Sequence, residues 1–275
     1  MLILAILRYG FKKYRQFSLT EAGGQYILKP IPMNTLLVSV NDVPENEHLT
    51  MQIAEQVFGI STTPNALIYF RDGTPAYITK RFDVMANGEK LLQEDLAQIT
   101  GRARQTHGEH FKYDGTYEEI GTIIKRMVPA AIPNLERLFY LVLFNYVFSN
   151  GDAHLKNFSL IHNGDGDLQL APAYDLLSTV LHTPNDADTA LELYENSYSS
   201  SYYSRYGHYG SDDFLAFGKR IGLLEKRVLR FLKKFIDNAP TIGSMIDGSF
   251  LSHSSKIIYL KNFRDKVDRM NRLNI

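Results

Sequence analysis

Between Asn145 and Ser178 the chain reads NYVFSNGDAHLKNFSLIHNGDGDLQLAPAYDLLS, which sets Asp152, His154, Lys156, Asn157 and Asp175 around a hairpin of two apolar strands. These are the residue types that phosphoryl transfer requires. One carboxylate orients an attacking hydroxyl, while an amide and a second carboxylate offer the hard oxygen ligands that suit a magnesium ion held between phosphates. Any one of these residues alone reads as a turn or a helix cap. Only their joint spacing carries a chemical meaning.

Protein kinases place the catalytic aspartate and a magnesium-binding asparagine at the interval of the motif H-R-D-x-x-x-x-N. Asp152 and Asn157 keep that interval. NFSLIH and LQLAPAY read as strands around the turn NGDGD, so the hairpin returns Asp175 to the neighbourhood of Asn157. NGDGD itself lacks the following glycine and distal glutamate of a calcium loop. His154 has neither an H-x-x-x-H partner nor a thiolate nearby and reads as a brace for the loop rather than a metal ligand. Lys156 fits either a solvated surface charge or a contact to the transferred phosphate. Upstream, Lys29 at the end of a strand and Glu47 on the next helix have the order of the kinase lysine and the glutamate that holds it on the phosphates.

The elements that must position these groups follow from the hydrophobic pattern. The N-terminal run MLILAIL is too short to span a bilayer and carries its charges on the wrong side for a signal peptide, so it reads as a strand. GGQYILKPIP is a strand closed by Pro30 and Pro32, and VPENEHLTMQIAEQVFGI is a helix with Glu47 in its first turn and Gly59 as its stop. NALIYFRDGTPAYITKRFDV is a hairpin turning at Asp72-Gly73. From LLQEDLAQITG onward the period is helical; the apolar run LFYLVLFNYVF, Leu138 to Phe148, reads as a buried core helix. YENSYSSSYYSRYGHYGSDDF is Tyr/Ser-rich and reads as a long surface loop.

Composition limits what these motifs can mean. A chain of 275 residues that is 44% hydrophobic can bury a sizeable core. Thirty basic and thirty acidic side chains cancel, leaving no global field for a nucleic acid or an anionic membrane. The absence of cysteine excludes disulfides and thiolate metal sites and fits a cytoplasmic protein.

On GDAHLKNFSL and LAPAYDLLS, with NEH, KRFD and QED upstream, the chain resembles the HipA-type serine/threonine kinases, toxins of bacterial toxin–antitoxin systems. YGHYGSDDFLAFGKRIGL is similar to the short, HipT-like branch. The resemblance implies an α+β, protein-kinase-like bilobal fold, with a small strand-containing N-lobe over residues 1–83 and an all-helical catalytic C-lobe over 84–275. It implies ATP and Mg2+ as cofactors, Asp152 as the catalytic aspartate with His154 and Lys156 in its loop, and Asn157 and Asp175 as metal ligands. Lys29, paired with Glu47, would contact the ATP phosphates. The backbone of Lys80 and Phe82 would bond adenine, Asp83 the ribose, and QED, beginning at Gln93, would brace that hinge or simply start a helix.

Family substrates include aminoacyl-tRNA synthetases, and the partners implied are a helix-turn-helix HipB-like antitoxin and, in the short branch, a small HipS-like protein supplying an N-subdomain. Family members also carry a serine-containing phosphate loop before the lysine strand. LRYGFKKYRQFSLTEAGG offers Gly10, Lys12 and Ser18 but no matching serine–glycine pair, which leaves a truncated, diverged or degenerate loop as alternatives. Three functions therefore compete: an active protein kinase, a pseudokinase that binds partners, and a small-molecule kinase with the same loop. Direct nucleic-acid binding is disfavoured by the neutral charge and by a single arginine, Arg205, in the Tyr/Ser stretch.

Overall fold

The computed structural model describes residues 5–10, 16–21, 23–163, 166–196 and 198–271. Strands β1 (Ala5–Gly10), β2 (Gln16–Leu19) and β3 (Tyr26–Pro30) open the chain, followed by helix α1 (Val43–Gln56) and strands β4 (Asn65–Tyr69) and β5 (Pro75–Lys80). They form a five-stranded sheet in the order β2-β1-β3-β5-β4, with antiparallel neighbours throughout. The β4–β5 turn needs Gly73, whose φ is +85°, a value that a residue with a Cβ rarely adopts. The apolar N-terminal run becomes β1 where it is described; its first four residues, and Lys12 with the rest of 11–15 between β1 and β2, lie outside the described residues.

Next come β6 (Gln93–Asp95), α2 (Leu96–Ile99), α3 (Arg104–His107), α4 (Tyr117–Met127) and α5 (Ala131–Val147). The hairpin β7 (Ser159–His162) and β8 (Leu168–Leu170) follows, its turn including residues 164–165, which are not described. Helices α6 (Ser201–Tyr206), α7 (Ser211–Arg220), α8 (Glu225–Asp237), α9 (Ala239–Asp247) and α10 (His253–Asn271) complete the chain. The part after residue 84 is helical except for a three-stranded sheet, β6-β7-β8. Its hairpin is the expected one; its third strand is QED, where Asp95 also caps α2 by accepting the Gln98 N–H at 2.9 Å.

From Leu138 onward helix α5 is buried and apolar apart from Asn145, and it is accordingly wrapped by neighbours. Phe139 stacks on Phe217, Phe144 on Phe148, and Phe148 on Phe263, drawing α7 and α10 around it. Helix α1 joins the same core, since Phe58, just past its end, stacks on Phe235 of α8 with centroids 4.2 Å apart. Of the sheet, Tyr77 joins this core, while Leu28, Ala76 and Ile78 form a small separate cluster. The helix carrying Glu47 is thus fastened to the helical body, while the strand carrying Lys29 belongs to the sheet. Among the described residues no helix is long and apolar enough to cross a membrane.

Candidate active site

Alternation along β3 decides the direction of Lys29. Leu28 enters the sheet's own cluster, so Lys29 points to the opposite face, toward α1. Helix α1 starts at Val43, which puts Glu47 in its second turn rather than its first, with the side chain turned inward. The Lys29 ammonium donates to Glu47 Oε1 at 2.6 Å and also to Asp175 Oδ1. Lys29 is 8% exposed and Glu47 4%, whereas the Asp175 side chain is 43% exposed. Burial alone would lower the lysine pKa, but the charges of Asp175 and Glu47 outweigh it and hold the ammonium protonated. One cation therefore serves two carboxylates.

Asp175 lies in the left-handed region at φ 55°, a conformation that aspartate tolerates better than most residues. Asn150 holds it there, donating from Nδ2 to Asp175 O at 3.3 Å and to Asn145 Oδ1 at 2.9 Å.

The loop with Asp152 begins where α5 stops, at Ser149 (φ 54°), Asn150 and Gly151. Gly151 has no room for a side chain, because a Cβ there would come within 2.5 Å of Ala187 O. Its N–H donates to Thr179 Oγ1 at 2.8 Å. A 3-10 turn at Leu155–Asn157 follows. Asn157 closes it: Oδ1 accepts the His154 N–H at 3.1 Å, and Nδ2 faces Asp175 Oδ2 at 3.4 Å.

Asp152 itself accepts a hydrogen bond from the Tyr113 hydroxyl at 2.5 Å, with Lys112 Nζ at 3.7 Å and His154 Nε2 at 3.8 Å from the same oxygen. His154 is buried, which lowers its pKa and favours the neutral ring, and its Nδ1 has no hydrogen-bond partner among the described residues. The ring packs edge-on against Tyr113 at 5.3 Å, consistent with a brace.

Lys29, Glu47, Asp152, His154, Asn157 and Asp175 line one cavity of about 460 Å³, together with Tyr113 and Asn150. Its far wall is formed by Leu37, Val43, Leu177, His182, Thr183 and Asp186. Among the described residues there is no cluster of three or more His, Asp or Glu side chains able to hold a metal alone. The side chains beside Lys29 are one amide and one carboxylate, residue types that fit magnesium, an ion that takes one or two protein ligands and completes its shell with phosphate oxygens and water; for Asn157 to join Asp175 as a ligand its Oδ1, here on the His154 N–H, must turn toward the ion.

Other expected site residues are not brought into this cavity. Lys156 donates to Asp95 Oδ2 at 2.8 Å, so its charge is committed to the cap of α2 and is not directed at Asp152. Both oxygens of Asp83 are engaged by the Arg81 guanidinium, at 2.9 and 2.5 Å. The Lys80 N–H is donated to Pro64 O at 2.8 Å. Gln93 does not reach the Lys80–Asp83 segment: its amide goes to Ser159 Oγ at 2.9 Å, Ser159 meets the Tyr174 hydroxyl at 2.7 Å, and the Tyr174 ring meets Phe82 at 5.4 Å. The link from Gln93 to Phe82 runs through Tyr174, the residue before Asp175.

Several contributors are not among the expected site residues, although one of them, Asn46, opens the NEH motif. Asn46 is fully buried, accepts the Ser178 N–H at 2.9 Å, and returns its Nδ2 to Ser178 O at 2.9 Å and to His182 Nε2 at 2.9 Å. That network fixes the stretch following Asp175 to α1. Tyr113 and Lys112 reach Asp152 from a glycine-bounded loop between α3 and α4.

Comparison with known proteins places this geometry. The HipA-like C-terminal domain family matches the chain over residues 5–242. The chain belongs to this family. A Haemophilus influenzae protein named "Putative kinase" is 26% identical over 277 aligned positions, covering 95% of this chain and 79% of that protein. A Sinorhizobium fredii protein named "Putative kinase Y4dM" is 32% identical over 62% of this chain and 41% of its own length. Among solved structures, the Shewanella oneidensis HipA, determined with HipB and operator DNA, superposes with a TM-score of 0.70 at 19% identity, over 98% of this chain and 63% of that one. The Helicobacter pylori proinflammatory kinase CtkA gives a TM-score of 0.60 at 15% identity, over 92% and 90%. The HipA-like chain thus has a protein-kinase-like bilobal fold of the α+β class.

Proposed function

We propose that this HipA-like chain is an ATP- and Mg2+-dependent protein kinase acting on serine or threonine. The observation that carries the reading is the convergence of Lys29 from the sheet and Glu47 from α1 with Asp152, Asn157 and Asp175 from the loop and hairpin after α5 on one cavity. Asp152 orients the acceptor hydroxyl and takes its proton. Lys29, held by Glu47, neutralises phosphate charge. Asn157 and Asp175 hold the metal, which when bound supplies the positive charge that stabilises the leaving phosphates. Residues 1–83 act as the lobe over the nucleotide, with Phe82 and Asp83 at the junction to residues 84–275; for Asp83 to reach a ribose, Arg81 must release it.

The Shewanella HipA structure, a toxin–antitoxin system determined with HipB, supports a toxin role with a HipB-like antitoxin as partner, which on this reading is a helix-turn-helix protein meeting the chain in the cytoplasm. An aminoacyl-tRNA synthetase is the protein substrate to test first, and a HipS-like protein the second partner. The competing pseudokinase reading is favoured by one observation: Asp175, the proposed metal ligand, and Asp83 are both already engaged by cations of the chain itself, Lys29 and Arg81. Calorimetry separates the two. ATP should bind with magnesium and lose most of its affinity without it or in Asp175→Ala, because Asn157 alone cannot hold a strongly hydrated divalent ion. An affinity for ATP that ignores both magnesium and Asp175 would refute the metal assignment.

A further inference from the structure

The Tyr113 hydroxyl makes the contact that an acceptor hydroxyl is expected to make. It donates to Asp152 Oδ1 at 2.5 Å, and its side chain lines the same cavity as Lys29, Asn157 and Asp175. This hydroxyl reaches the site from a 3-10 turn, Phe111–Tyr113, between Gly108 and Gly115. Gly108 has φ +75°, a natural pivot for the turn. The ring is half-buried and meets the edge of His154, the His110 ring at 6.4 Å and the ammonium of Lys112, which lies 4.8 Å from its centroid. Burial and the Asp152 charge both push the phenol pKa up, so the hydroxyl keeps its proton and remains a donor.

We propose that Tyr113 is an intramolecular acceptor, phosphorylated in cis by this site, and that until it is phosphorylated it competes with protein acceptors for Asp152. The proposal rests on the phosphotransferase reading above. In the step, the phenolic oxygen forms a bond to the γ-phosphorus of ATP and the bond from that phosphorus to the β–γ bridging oxygen breaks. ADP leaves with the electron pair, and the phenolic proton passes to Asp152 and then to solvent. The product carries a charge of about −1.5 to −2. Beside the Asp152 carboxylate such a group is repelled, and because Lys112 Nζ is itself 3.7 Å from Asp152 Oδ1, relief comes from the Phe111–Tyr113 turn moving away rather than from that cation. Phosphorylation therefore frees Asp152 for an external hydroxyl.

The full chain would be incubated with ATP and magnesium, with and without dephosphorylated casein as the external acceptor, and phosphate located by peptide mass mapping. One phosphoryl group is expected on Tyr113, at a rate constant independent of protein concentration, and absent in Asp152→Asn. Casein labelling by the unmodified chain should show a lag that Tyr113→Phe removes, with a several-fold higher initial rate. Tyr113 phosphorylation without casein labelling still supports the proposal. It is overturned if phosphate goes to casein or to other residues of the chain while Tyr113 stays unmodified, or if Tyr113→Phe lowers the casein rate, which would make Tyr113 a positioning residue for Asp152. A chain that transfers phosphate to nothing contradicts the phosphotransferase reading itself, and this proposal with it.

Discussion

Lys29 and Asp175, 146 positions apart in sequence, are joined by an ion pair in which the same ammonium also holds Glu47 at 2.6 Å. Replacing Lys29 by Met keeps the stem and removes the charge, leaving the buried Glu47 carboxylate without its cation. Phosphoryl transfer should fall by about a hundredfold or more, the scale of losing one preorganised charge at a reacting group. Stability to urea should fall by up to about 3 kcal/mol, because an unpaired buried charge is strained until it protonates. Adding Glu47→Gln should return much of the stability and none of the activity. If the double variant is no more stable than Lys29→Met, Glu47 is not the unpaired charge.

The stretch after Asp175 should respond to acid through His182. Because Asn46 Oδ1 accepts the Ser178 N–H, its Nδ2 donates to His182 Nε2, and the His182 proton lies on Nδ1, facing Val38 O at 3.1 Å. Burial lowers the His182 pKa, so below the ordinary histidine range the unfolded chain takes up a proton that the folded chain refuses. Stability should hold above about pH 6.5 and decline as pH falls from there toward the depressed folded value. Urea melts between pH 7.5 and 5 should show less loss of stability toward acid for His182→Gln than for the parent; His48 and His154, also lowered by burial, act in the same direction as His182, and Glu45 and Glu47, which burial raises to about 7, act in the opposite one. An identical slope in the variant would remove His182 from this account.

The Tyr/Ser stretch divides into packing and surface. Tyr202 is 4% exposed and lies so close to Gly210 that a Cβ there would sit 2.5 Å from the ring, whereas Tyr203 and Tyr206 are partly open to solvent. Tyr202→Ala should cost about 3 to 5 kcal/mol, as large-to-small core substitutions of aromatic residues do. Tyr203→Ser with Tyr206→Ser should stay within about 1 kcal/mol of the parent. Thermal melts of the two variants check this; equal losses would contradict the division.

What could be read in the sequence was local. Asp152, Asn157 and Asp175 fall within one short hairpin whose strands have a clear pattern, so their approach follows from chain geometry. Lys29 and Glu47 were legible only as an order of elements. Lys156 left two readings open because its partner, Asp95, lies 61 positions away. Tyr113 sits 39 positions before Asp152 and His182 lies 136 after Asn46, separations at which no periodicity reports contact. QED is three polar-ended residues that become a strand only because β7 is there to pair with them. The Tyr/Ser stretch misled by composition: its polarity suggests a loop, yet Tyr194 and Tyr202 are buried and Ser201–Tyr206 is helical.

The central claim is that Asp152 governs phosphoryl transfer, and labelled γ-phosphate from ATP, followed from the purified chain into a bacterial lysate, tests it most directly. Asp152 is half exposed, so Asp152→Asn should leave the melting temperature and ATP affinity nearly unchanged while lowering incorporation by about a hundredfold to ten-thousandfold. Labelling by Asp152→Asn equal to that of the parent chain would contradict the account.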